Sequence, residues 1–177
     1  GLTIIYGMES CTSEEVHIVC LFPDIEKALV FSDYIYSTLP PVKNKPNIFG
    51  DQIICNENDE VTGNEEKLLI TASAVSCAKA VETVKKYGGI CYPAHIDRSS
   101  FSILSNLGMI DESFGFTCVE IFDMAKEQEL KEKHPYINTL KIISDSDAHY
   151  LEKMRIPEYT IDVNENSISG IFEYFEM

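Results

Sequence analysis

From residue 73 onward, short apolar runs alternate with segments of helical spacing, and this rhythm limits the available folds more than any other feature. "SAVSCAKAVETVKKY" at 73–87 reads as a helix, with serines able to cap it and lysines in its last turn before Gly88-Gly89. "GICYPAH" at 89–95, "FTCVEIF" at 116–122 and "LKIISD" at 140–145 read as strands. Helices are expected near 99–107, 124–133 and 166–176, and a further strand at 158–163. Alternating strands and helices imply a mainly parallel sheet covered by helices, as a barrel or as an open sheet.

The first part of the chain is less regular. Residues 2–6, "LTIIY", and 15–22, "EVHIVCLF", read as strands. Asp24 opens a helical pattern that Pro40-Pro41 stops. The stretch 42–70 is turn-rich and reads as an irregular hairpin insertion. Its acidic run "NENDEVTGNEE" lacks the ligand periodicity of a calcium-binding loop and reads as solvated. With 177 residues, 45% of them hydrophobic, the chain supports one domain over 1–177.

In parallel α/β folds, sites gather where loops converge at the carboxyl ends of strands. Glu9 follows the first strand, His17 lies in the second, His95 follows "GICYPA", and Asp147 and His149 follow "IISDS". Singly, each reads readily as a capping, core or solvated residue. Jointly, carboxylates and imidazoles at several strand ends are what a multinuclear divalent-metal site requires. No cysteine joins them, so Zn, Mn or Fe is expected rather than a thiolate-bound structural zinc. Glu120 lies within its strand and reads as a group supporting a ligand imidazole. Asp97 reads as a solvated loop residue, and His134 as surface.

These segments resemble the PHP (polymerase and histidinol phosphatase) family of metal-dependent phosphoesterases. "IYGMES" is similar to the family's strand followed by Gly-x-Glu, "CYPAHIDR" to its Ala-His motif, and "SDAH" to its closing Ser-Asp-x-His motif. The resemblance implies metal ligation by Glu9, His17, His95, Asp147 and His149. It selects Asp147 over Asp145, a choice that strand periodicity leaves open. It gives Arg98 a role in contacting the substrate phosphate, for which a planar guanidinium is suited, and it leaves His17 as either a ligand or a phosphate contact. The implied fold is a distorted (β/α)7 TIM-like barrel. The family's N-terminal His-x-His is absent, so the barrel is expected to be incomplete at that end, with the remaining ligands upstream of Gly1. An incomplete barrel exposes strand edges, and self-association into a homo-oligomer is the expected remedy.

The implied activity is hydrolysis of phosphate mono- or diesters, nucleotides included. The alternative is a non-catalytic metal-binding or regulatory module with a degenerate site. An amidohydrolase-like centre fits less well, because no lysine follows an apolar strand. The net charge of −15 disfavours long nucleic acid and anionic membrane, leaving a small phosphorylated substrate or nucleotide as the expected partner. Six cysteines without a CxxC pair, mostly in apolar runs, point to reduced thiols and a cytoplasmic protein. No apolar run is long enough to span a membrane.

Overall fold

The computed structural model describes residues 2–156 and 159–176. A three-stranded antiparallel sheet forms its centre, in the order β1 (Tyr6–Cys11), β2 (His17–Phe22), β5 (Ile90–Pro93). Strand β2 alternates strictly: Ile18, Cys20 and Phe22 are buried on one face, while His17, Val19 and Leu21 are half-buried on the other. The first face packs on α1 (Ile25–Thr38) through Phe31 and Ile35, and on α3 (Cys77–Lys86) through Cys77, Ala80, Val81 and Val84. The second face joins Ile90 and Tyr92 to Phe172 and Phe175 of α6 (Ile168–Glu176). Burial on both faces explains why β5 reads as a continuous apolar run.

Local chemistry sets the helix ends. The Asp24 carboxylate accepts from Lys27 N at 2.9 Å and caps α1. Ser76 Oγ accepts from Lys79 N and caps α3, and Ser102 does the same for α4 (Ile103–Leu107). The 42–70 stretch contains a short helix, α2 (Pro46–Phe49), and a hairpin of β3 (Ile53–Cys55) and β4 (Val61–Asn64). After α4, β6 (Cys118–Glu120) and β7 (Lys141–Ile143) pair in parallel, with α5 (Glu127–Lys133) between them in sequence. Ile96 N donates to Glu120 O at 2.9 Å, which ties the end of β5 to β6. None of the described helices is long and apolar enough to cross a membrane.

The expected (β/α)7 TIM-like barrel is not what forms. Among the described residues the strands make three small sheets, and only β6–β7 is parallel. The reason lies in the connection between the first two strands. Only Thr12–Val16 separate β1 from β2, and a link that short permits an antiparallel pair alone. Strand β1 also runs past the apolar stretch. It pairs through Gly7, Met8, Glu9 and Ser10 with β2, so Glu9 lies inside the strand rather than beyond it. Residues 159–163 form no strand, and Glu158 lies outside the described residues.

Candidate metal centre

Glu9, His17 and His95 come together on the α6-facing side of the sheet. The register pairs Cys11 with His17 and Glu9 with Val19, so Glu9 and His17 are diagonal neighbours on one face. Ala94 N donates to His17 O at 3.0 Å, which places the next residue, His95, beside the same spot. His95 has φ 31°, a left-handed conformation that turns the chain out of the β5 direction. Glu9 Oε1 then lies 3.3 Å from His17 Nδ1 and 3.5 Å from His95 Nε2. Ligand atoms of all three residues fall within 4.8 Å of one another. Hydrogen bonds from His17 and His95 hold the Glu9 carboxyl down at about 2. The Cys11 side chain and then Glu9 push His17 up to about 9, against the opposing effect of burial.

Phe101 completes the His17 environment, and nothing in the sequence pattern marked it. Its ring stacks on His17 at 4.7 Å and 17°, and its carbonyl accepts from His17 N at 2.8 Å. Phe101 (φ 53°) and Asp147 (φ 40°) share the left-handed backbone of His95. Strain of this kind persists only where the surroundings fix it, and it clusters at functional sites.

A cleft of about 300 Å³ opens beside Glu9 and is also lined by Glu120, Asp145 and Asp147. Glu120 is 2% exposed, and its Oε1 has no hydrogen-bond partner. Burial, then the charges of Asp145, Asp147 and Glu9, push its carboxyl up to about 8. Asp147 Oδ2 lies 2.8 Å from Arg98 Nη1, an ion pair without hydrogen-bond alignment. The Arg98 guanidinium sits 4.3 Å from the Phe122 ring centre, and that of Arg155 sits 4.5 Å from it. Arg155 also donates to the carbonyls of Phe122 and Asp145. His149 stands apart from the triad. Its side chain is 71% exposed, it lines a different groove with Tyr150 and Leu151, and its Nδ1 faces the Asp147 carbonyl at 3.2 Å.

The donor set suits a divalent ion. One carboxylate and two imidazoles converge, and the buried Nδ1 of His95 lacks a protein partner. Asp97 differs from the solvated loop residue expected. Its side chain is 1% exposed, and it accepts from Phe122 N at 2.8 Å and Asp123 N at 3.1 Å. It therefore fixes the loop that carries Phe122. A separate cleft beside the β3–β4 hairpin is lined by Lys43, Asp51, Gln52, Glu65 and Glu66, among others, and no imidazole or thiol enters it.

No family model and no curated protein matches the chain. Two solved structures share its fold. One is the novel lesion-specific endonuclease PfuEndoQ from Pyrococcus furiosus, at 15% identity and TM-score 0.62, covering 94% of this chain and 37% of that one. The other is Endonuclease Q in complex with a 27-mer duplex substrate that has an abasic lesion at the active site. It is 13% identical, with TM-score 0.60, and covers 96% of this chain and 38% of that one. The chain thus spans well under half the length of either. The duplex complex overturns the expectation against long nucleic acid, which rested on net charge alone. The relationship these comparisons establish is one of fold.

Proposed function

We propose that this chain carries the metal centre of a phosphoester hydrolase of the PHP type, acting on nucleic acid. The observation that carries the reading is the convergence of Glu9, His17 and His95 on one sheet face, with His95 in strained backbone. A divalent ion held there supplies Lewis acidity and a water of lowered pKa. Glu9 would supply the central carboxylate, which both imidazoles face. His17 is held in orientation by the Phe101 ring, and His95 by its burial. Asp147, which lines the same cleft, would be a further ligand, and Arg98 beside it would grip a phosphate with its planar fork. The two endonuclease folds favour nucleic acid over small monoesters, and Arg155 beside Phe122 gives local positive charge on an acidic chain.

The deciding measurement is metal binding, followed by cleavage. The chain is expected to bind Mn²⁺ or Zn²⁺, and Glu9→Gln or His95→Ala to weaken that binding at least tenfold with unchanged circular dichroism. Metal-dependent scission of a duplex with an abasic site should follow the same variants. Scission that survives EDTA, or metal binding indifferent to Glu9 and His95, contradicts the reading. A second reading, binding without turnover, is favoured by the position of His149 outside the cluster. It predicts full metal binding with no scission of any phosphodiester.

A further inference from the structure

We infer that the loop following Asp147 is a wedge that enters duplex nucleic acid, its apolar side chains taking the place of a missing base. Tyr150 is 72% exposed, Leu151 81% and Met154 63%, and all of them line one groove of about 450 Å³ together with His149. Apolar residues scattered singly over a surface are ordinary, whereas several along one groove mark a contact. The loop is held firmly beneath them. Lys153 N donates to Tyr150 O at 3.0 Å and Met154 N to Leu151 O at 3.1 Å, closing a 3₁₀ turn over Leu151–Lys153. Both ends of the loop are tied to Asp145, whose Oδ1 accepts from Asp147 N at 2.8 Å and whose carbonyl accepts from Arg155. An apolar tip on a fixed base has little further freedom to lose when it is inserted.

Size and charge select the partner. The side chains of one turn form a narrow ridge, whereas a stable protein interface takes about 800 Å² from each partner. A narrow ridge suits a single base step, where apolar side chains insert between bases and an aromatic ring stacks on one of them. Within 148–156, Lys153 and Arg155 outnumber the single acid, Glu152, so the loop is locally positive on a chain of net charge −15. Phosphates flanking the inserted step would meet these cations. Insertion into intact duplex must first unstack a step, and a position without its base lowers that cost. Asp147 lines the candidate metal cleft, so the wedge begins at the residue beside it.

This inference rests on the nucleic acid reading of the chain and adds the feature that selects the site. The test is fluorescence anisotropy of labelled duplexes, intact and with one abasic position, with and without Mn²⁺, product formation being followed on the same samples. The wild type should prefer the abasic duplex. Tyr150→Ala should cut affinity for it about tenfold. Leu151→Ala should act in the same direction, and both should affect the intact duplex much less, so that the preference disappears. Lys153→Ala should weaken both duplexes alike and lower the salt slope by about one. 2-Aminopurine beside the abasic position should change its fluorescence when the wild type binds and not when Tyr150→Ala does. All three substituted side chains are exposed, and circular dichroism reports whether each variant is folded. A wild type without the preference, or a preference that Tyr150→Ala and Leu151→Ala both retain, overturns the inference. So does a monomer–dimer equilibrium in sedimentation that the same variants abolish, which would give the ridge to a second copy. A preference lost in both variants, on a chain that binds metal and cleaves no phosphodiester, would sink the hydrolase reading and leave this one standing. Metal-dependent scission without any such preference would do the reverse.

Discussion

His17 keeps its proton well into the alkaline range because the Cys11 side chain and Glu9 both stabilise the imidazolium, raising it to about 9. Glu9 is lowered to about 2 by the same contact and by His95. The signs are opposite. The His17 contribution to stability is complete below its ordinary value of 6.5 and is lost as pH rises through about 9. The Glu9 contribution is complete above 4.5 and is lost as pH falls through about 2. In EDTA, the pair should therefore stabilise most between 4.5 and 6.5, and thermal melts across pH will show it. A divalent ion must displace the His17 proton at neutral pH, so binding should release about one proton and strengthen as pH rises toward 9. Calorimetry in buffers of different ionisation enthalpy measures that release, and an affinity flat from 6.5 to 9 would count against His17 as a ligand. Asp97 makes a separate case. Asp97→Ala leaves the Phe122 and Asp123 N–H groups without their acceptor and should cost about 3 kcal/mol, while Asp97→Asn, which keeps one oxygen, should cost less.

At the scale of elements, the helices were the most legible part of the sequence. Asp24 and Ser76 cap where capping chemistry places them, because a cap depends on residues a few positions away, whereas the helix expected from 99 starts only at Ile103, behind Ser102. Strand extent was less legible, because it depends on the partner strand. The pattern "LTIIY" suggested a strand ending at Tyr6, whereas pairing with β2 starts there and carries it through Glu9 to Cys11. The same nonlocal pairing explains why Glu9 and His17 could be named from the sequence but their shared face could not. Phe101 was illegible because its role depends on a backbone turn, not on spacing. Gly89 shows how tightly α3 and β5 meet the sheet. A Cβ there would lie 2.5 Å from Leu21 O and 2.8 Å from Val84 Cγ1. Backbone cannot yield as a flexible side chain does, so Gly89→Ala should destabilise by about 1–3 kcal/mol in urea unfolding.

The molecule as a whole carries 29 acidic and 14 basic residues, and its compact state works against its own charge. Salt should therefore act on it in two opposite directions. Screening of carboxylate repulsion shortens from about 30 Å at 0.01 M to about 8 Å at 0.15 M. Across that range the melting temperature in EDTA should rise by about 2–4 °C, the shift that about 1 kcal/mol gives a domain of this size. The proposed nucleic acid binding should move the other way, because phosphate contacts release counterions that added salt restores. Arg98, Lys126 and Arg155 are the basic groups gathered around Phe122 and the Asp97 loop, and Arg98 and Lys126 are each paired to a carboxylate. A basic group already neutralised by a neighbour contributes little to the salt slope, so that slope should be shallow and steepen when Mn²⁺ offsets Asp147 and frees Arg98. Duplex binding followed by fluorescence anisotropy at several salt concentrations, with and without Mn²⁺, measures both slopes. Arg155→Ala, which removes a cation without touching the Glu9–His17–His95 triad, should lower the slope by about one. A slope unchanged by both Mn²⁺ and Arg155→Ala would count against the proposed nucleic acid contact at this cleft.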